Sequence, residues 1–313
     1  MHPVVLLFEK GGVAILKNSF VVFSFILVSV LIAIGCSLST PQPLRISTNL
    51  WIGYSPLFYI QQKGWLKEHN IEIVTLVSLS ENMQMYESGF VNAFTGTQYE
   101  FEQMRENTPD LEPAILLDRS LGGDIIMGNR DIETLQKEKK INVYLEIDSV
   151  NKVLLESFTE LYGIDASLLH LFNKDSDESS KLAMQEEPTL IITYTPYDML
   201  LKKNGYQVLD TTKNMHLFVI DALYADANTR EVYAEELAVL NQLIAKALDR
   251  LKKDPDEYFS AIRVFFKYQD KHTFLKALGS IQWVYDDRSL ELMKQLEAHQ
   301  IPTQNILEPV HEF

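Results

Sequence analysis

Two aromatic residues, Trp51 and Tyr54, stand in the loop Trp51-Ile52-Gly53-Tyr54-Ser55-Pro56, directly after an alternating segment, Leu44–Leu50. Ser55 followed by Pro56 is a helix-start signature, with Ser55 as the cap. The loop therefore sets rings beside free helix N–H groups at the C-terminal end of a strand. Open α/β sheets bind ligands at that end, and helix N-termini attract anions. Trp51 and Tyr54 there suit stacking or edge contacts with a small molecule, or packing on their own lobe. Ser80 and Thr97 stand at helix starts, where a hydroxyl binds a ligand oxygen or caps the helix; capping is preferred for Ser80. Asp118 and Asp124 flank Gly122-Gly123. Either bonds backbone N–H groups of a chain crossing or faces a ligand amine, and the first is preferred. Catalytic chemistry has little to stand on. There is no Gly-x-Ser-x-Gly run. The seven histidines are scattered without zinc-type spacing, and the single cysteine, Cys36, permits no disulfide within the monomer. No catalytic residue, metal or cofactor is expected.

The elements that must position these residues follow from periodicity. Strands are expected at Leu44–Leu50 (half-buried), Ile71–Val77, Val91–Thr95 and Pro113–Asp118, with helices at Leu57–Lys63, Met83–Ser88 and Gln98–Arg105 between them. That alternation argues a parallel sheet in an α/β domain. A second alternation follows: Ile125–Met127, Ile141–Leu145, a helix from Asp148-Ser149-Val150 to about Tyr162, Leu168–Phe172, Asp175–Met184, Thr189–Tyr194 and Tyr206–Leu209. Ala114–Met127 and His216–Tyr224 each join apolar runs through a polar interruption. They read as paired crossings of a chain that leaves one lobe and later returns. Two adjacent glycines make a bend or joint cheap at the first. From Thr229 onward the chain reads as helix throughout, with Leu237, Leu240, Ile244, Ala247 and Leu251 on one face.

The chain has 313 residues, a formal charge of −15 and 46% hydrophobic residues. One large or two medium domains is the expectation. The acidic balance disfavours nucleic acid as a partner, because a phosphate-tracking surface needs clustered Lys and Arg. Lys10 and Lys17 precede an apolar stretch from Phe20 to Ile34, which is the pattern of an export signal. It ends Leu31-Ile32-Ala33-Ile34-Gly35-Cys36, which resembles a bacterial lipobox with Ala33 where Leu is commoner. Signal removal over residues 1–35 would free the Cys36 amine, and its thiol would carry a diacylglycerol. The alternative is an uncleaved anchor, although the apolar run of about 15 residues is short for a span of ~20. Either way residues 44–313 are expected outside the cytoplasmic membrane, as a periplasmic lipoprotein of the cell envelope. Residues 36–43, with Pro41 and Pro43, form the lipidated start and linker.

Taken in order, several motifs resemble one family. They are Leu44–Gly64 (LRISTNLWIGYSPLFYIQQKG), Ser88-Gly89-Phe90-Val91-Asn92-Ala93, Leu117-Asp118-Arg119-Ser120 with Gly122-Gly123-Asp124, Asp148-Ser149-Val150, Thr193-Tyr194-Thr195-Pro196 and Ile220-Asp221. The family is the nitrate/sulfonate/taurine-type solute-binding proteins of bacterial ABC importers, whose domain is shared with thiamine-precursor (pyrimidine) binding proteins and yeast-type pyrimidine synthases. The resemblance implies an α/β, two-lobed periplasmic-binding-protein-like fold of type II, with two hinge crossings and a helical C-terminal part. Lobe one would be residues 44–120 plus 221–313, and lobe two residues 121–220. It also implies Ser120 as a ligand contact near the hinge, Asp148 and Ser149 as residues closing the cleft or plain caps, and Tyr194 and Asp221 as further cleft residues. This chain departs from the family pattern at Asn92, where the family has Asp, and at Thr195, where it has an acid before Pro.

The candidate loops carry more carboxylates (Asp118, Asp124, Asp148, Asp221) than cations (Arg119). Among sulfonate, pyrimidine and amine-like ligands, this leans toward an organic molecule with an aromatic or amine part. The implied partners are an ABC permease and its ATPase, with the membrane reached through the lipid anchor. A sensor lipoprotein feeding a membrane signalling protein is the alternative. A pyrimidine-synthase-like enzyme is disfavoured, because that branch uses a Cys-rich segment and the mature chain has no cysteine beyond Cys36.

Overall fold

The computed structural model describes residues 42–310. Cys36, the export signal and the first part of the linker lie outside the described residues.

Strand β1 (Leu44–Asn49) is followed by a 3-10 turn, Ile52–Tyr54, and helix α1 (Ser55–Gln62). Tyr54 rather than Ser55 holds the cap position; Ser55 is already helical, and Pro56 sits in the first turn, where a missing N–H costs nothing. β2 (Ile71–Leu76), α2 (Leu79–Glu87), β3 (Ala93–Thr97), α3 (Gln98–Arg105) and β4 (Glu112–Ser120) complete the first run. β1 is not half-buried: Ser47, Thr48 and Asn49 are all but inaccessible. The polar positions of its alternation enter an internal network instead of water. Ser47 Oγ donates to the Asn82 carbonyl at 3.3 Å, and Thr95 Oγ1 donates to Thr48 Oγ1 at 2.9 Å.

The chain then enters a second sheet: β5 (Asp124–Gly128), α4 (Ile132–Leu135), β6 (Ile141–Leu145), α5 (Val150–Tyr162), β7 (Leu169–Asn173), α6 (Ser176–Ser180), β8 (Thr189–Tyr194), α7 (Asp198–Lys203) and β9 (Gln207–Thr211). It returns through β10 (Ile220–Ala225) and runs on as α8 (Ala227–Val232), α9 (Ala234–Lys253), α10 (Pro255–Ile262), α11 (Lys271–Ala277), β11 (Ile281–Trp283) and α12 (Leu290–Ala298). The C-terminal part is therefore not helix throughout. β11 interrupts it, pairing antiparallel with β4 at Ile281–Ser120. A three-residue strand is too short to declare a period.

Strand order is β11-β4-β10-β3-β1-β2 in the first sheet and β7-β6-β8-β5-β9 in the second. Both sheets are mixed, which corrects the expectation of parallel ones. β1 runs parallel to β2 and β3, but β10 is antiparallel to both β3 and β4. The cause is connectivity: β10 arrives from the other sheet and so enters from the opposite end. In the second sheet β5 is antiparallel to β8 and β9 for the same reason.

The two passages between sheets, residues 121–123 and 212–219, lie side by side. Thr212 Oγ1 accepts from the Gly122 N–H at 2.9 Å and shares a hydrogen bond of 2.9 Å with Ser120 Oγ. Gly122 has φ +110°, a conformation that a side chain resists. The apolar face of α9 packs on α1: Leu237, Leu240, Ile244 and Ala247 are buried in one cluster with Leu57, Tyr59 and Ile60. Burial of each large side chain on that face contributes about 1.5–3 kcal/mol.

Candidate functional site

A cavity of about 10 Å³ lies between the two sheets. Its walls come from both. The first sheet and its helices supply Asn49, Trp51, Tyr54, Leu79, Thr97 and Asp221; the second supplies Asp124, Val150 and Tyr194. Each position follows from local structure. Asn49, Trp51 and Tyr54 stand where β1 gives way to α1, Thr97 where β3 gives way to α3, and Tyr194 ends β8. Side chains from facing ends of two sheets thus meet in one place.

The ring contacts cross the gap. Trp51 and Tyr194 meet edge to face at 5.9 Å, and Asn49 Nδ2 donates to Tyr194 Oη at 3.1 Å. Trp51 Nε1 donates to Asp118 at 3.0 Å, and Tyr54 Oη donates to Asp221. Asp118 accordingly serves the indole, not the backbone N–H groups of the crossing. Register sets the acids together: β10 places Asp221 opposite Asp118 on one side and Thr97 on the other. Like charges directly opposed in a sheet repel.

Two further buried acids bridge the sheets. Glu100 Oε2 accepts from the Thr97 N–H at 2.8 Å and Thr97 Oγ1 at 2.6 Å, while its Oε1 accepts from the Val150 N–H at 2.8 Å. It therefore caps α3 and also reaches the N-terminus of α5. Glu146 Oε2 accepts from the Leu79 N–H at 3.2 Å. Among the described residues, no Lys, Arg or His lines the cavity. Without a cation, burial dominates the acids. It pushes Asp124 up to about 7 and Glu146 up to about 8. Asp118 and Asp221 are pushed well above the usual carboxylate range, chiefly by burial and then, for Asp221, by the charge of Asp118. Glu100 is raised by burial against the pull of its own hydrogen bonds.

Of the residues singled out from sequence, Trp51, Tyr54, Thr97, Asp124, Tyr194 and Asp221 line the cavity; the others stand elsewhere. Ser80 is not the helix cap. Ser78 is, accepting from the Glu81 N–H at 3.1 Å, because α2 begins at Leu79, earlier than its apolar period suggests. Ser80 Oγ instead donates to the Asp148 carbonyl at 3.5 Å, and the Asp148 side chain is exposed. Ser149 caps α5, accepting from the Asn151 N–H at 3.2 Å. Ser120 fastens the two crossings through Thr212 and accepts from the Asp124 N–H at 3.2 Å. Sequence reasoning missed Asn49, Leu79 and Val150 as lining residues, and Glu100 and Glu146 as buried acids. A Thr-x-x-Glu capping box was a signal for Glu100; Glu146, following a strand, reads as surface.

No protein-family model matches the chain, and no curated protein matches it. Solved structures do. The alkanesulfonate-binding protein SsuA from Xanthomonas axonopodis pv. citri, bound to MOPS, superposes with a TM-score of 0.65 at 12% identity, covering 86% of this chain and 97% of its own. The ligand-binding component of an ABC-type import system from Staphylococcus aureus, with zinc bound, gives 0.64 at 13% identity and the same coverages. The aliphatic sulphonate-binding protein SsuA from Escherichia coli gives 0.64 at 12%, covering 88% and 94%. The fold is that of the periplasmic binding proteins. In this periplasmic-binding-protein fold, the loops between strand ends and helix starts of both sheets face one another, which is where Trp51, Thr97 and Tyr194 stand.

Proposed function

We propose that this chain is an extracytoplasmic solute-binding protein that captures a small organic molecule between its two sheets and delivers it to an ABC import permease. The observation that carries the reading is the cavity itself, lined from both sheets by aromatic and hydrogen-bonding groups. The likeness in fold to import-system binding components supports it. Residues 44–120 with 221–313 would act as one lobe and 121–220 as the other, joined by the crossings at 121–123 and 212–219. A cavity of about 10 Å³ admits no more than one water molecule. A solute therefore enters only when the lobes part, by a hinge motion in which both contribute contacts on closure. Cys36 would carry the lipid that tethers the protein to the envelope, consistent with the lipobox-like run ahead of it.

A thermal-shift screen over sulfonates, pyrimidines, amines and inorganic oxyanions tests this. A solute at 100 times its Kd is expected to stabilise the protein by about 2.7 kcal/mol. No stabilisation by any class contradicts a receptor role.

A further inference from the structure

The acids around the cavity have more accepting capacity than the protein fills. Asp124 is 4% exposed, lines the cavity, and its Oδ2 has no hydrogen-bond partner among the described residues. The Ser120 hydroxyl beside it accepts the Asp124 N–H and shares a hydrogen bond with Thr212 Oγ1. Among the described residues, Asp221 has only the Tyr54 hydroxyl as donor, and Asp118 only the Trp51 indole. A buried acceptor without a donor is costly, and a buried carboxylate without a cation more so. The nearest candidate cation in sequence, Arg119, turns away: its guanidinium lies over the Phe218 ring at 5.2 Å and donates to Gln295.

Resting on the receptor reading above, we infer that the cleft is built for a small organic cation. A protonated amine or amidinium would place its N–H donors on Asp124 and Asp221, and its charge among Trp51, Tyr54 and Tyr194. Aromatic rings with carboxylates behind them favour a cation over its neutral analogue by quadrupole and Coulomb attraction together. Ionised in the hydrated, open cleft, the same acids repel an approaching sulfonate or sulfate, so the solute class differs from the sulfonates named for two of the structural neighbours. An organic cation is favoured over a metal ion because no group of three or more His, Cys, Asp or Glu residues converges as metal ligands among the described residues.

Calorimetric titration of the full chain in uncharged detergent decides this. The probes are benzylamine, benzamidine, choline and putrescine as cations, benzyl alcohol and uracil as neutral molecules, methanesulfonate and sulfate as anions, and calcium chloride. At least one amine or amidinium is expected to bind, and Asp124→Asn to weaken it by at least ~30-fold, as for loss of one member of a buried charge pair. Glu68→Gln, at an exposed turn, is expected to leave that affinity unchanged. Should Asp124→Asn fail to fold, selectivity of the natural protein for benzylamine over benzyl alcohol carries the decision if benzylamine is the binder; for any other cation binder, Asp221→Asn, at the other proposed carboxylate, takes the place of Asp124→Asn. Binding of methanesulfonate, uracil or calcium with no cation bound overturns the cation inference and leaves the receptor reading standing. A cation that binds Asp124→Asn undiminished also overturns it. Binding of nothing overturns both.

Discussion

Dialysed free of solute, the protein is expected to be most stable near pH 4 and to lose about 2–5 kcal/mol of unfolding free energy between pH 5 and pH 8. This is the reverse of ordinary acid lability. Asp124 is raised from 3.8 to about 7 and Glu146 from 4.5 to about 8, both chiefly by burial. A carboxyl whose pKa is raised on folding binds its proton more tightly in the folded state. Its contribution is complete below the unfolded value and is lost as pH rises through the folded value. The window therefore runs from about 4 to about 8. Each tenfold gain in proton affinity on folding corresponds to about 1.4 kcal/mol. The full sum is not expected, because parting of the lobes would hydrate the same acids without unfolding the chain. Asp118, Asp221 and Glu100 are displaced in the same direction. The other titratable groups lining the cavity are Asp221, Tyr54 and Tyr194, and the charges of Glu100 and Asp118 act beside them, so none of the groups around Asp124 is cationic at these pH values. Acids of opposite sense exist at exposed helix caps: Asp131 is lowered first by the Thr134 hydroxyl and then by its N–H, and Asp165 and Asp270 first by the N–H and then by the hydroxyl of Ser167 and Thr273. Their contribution is lost only as pH falls below about 4, and this sets the acid edge of the optimum. Urea unfolding at pH 5, 6.5 and 8 checks the slope. A flat or rising profile contradicts the acid cluster as described.

The second large effect is expected at Gly53. A Cβ there would stand 1.9 Å from Asp118 Oδ2 and 2.2 Å from its Cγ. Asp118 is fully buried and tied to the Trp51 indole, so its short side chain has nowhere to retreat. Gly53→Ala is expected to cost about 3 kcal/mol, the upper range for overpacking. Its cause can be isolated. Asp118→Ala removes the atoms that clash, so the double variant should be less destabilised than the sum of the singles. Denaturant titration of the four proteins gives the coupling. An additive result would place the damage in the backbone of the 3-10 turn instead.

Much of the fold was legible because its signals are local. Thr97 and Glu100 form a reciprocal capping box that fixes the start of α3. The apolar runs at Ile141–Leu145 and Thr189–Tyr194 became strands with those bounds. Strand direction was not legible, since an isolated strand carries no mark of which neighbour it joins or from which end. That is why two mixed sheets were read as parallel, and why the opposition of Asp118 and Asp221 was out of reach: it exists only through the antiparallel register of β10. β11 was lost to its shortness. At the cavity, Trp51 and Tyr54 could be singled out because strand ends in α/β sheets are known ligand positions. Glu100 and Glu146 could not be read as buried acids, because the N–H groups they accept lie 50 and 67 residues away in sequence.

The most direct test of a cleft that shuts on a solute is the distance between its halves. Spin labels at Glu68→Cys and Glu160→Cys, in a Cys36→Ser background, sit at exposed positions before β2 and on α5, on opposite sides of the cleft. Electron–electron resonance distances are read at pH 8, with and without whichever probe binds. Without it, two populations are expected; with saturating probe, a single population whose distance does not change on further addition. One distance, identical in both conditions, would contradict closure of two lobes around a bound molecule.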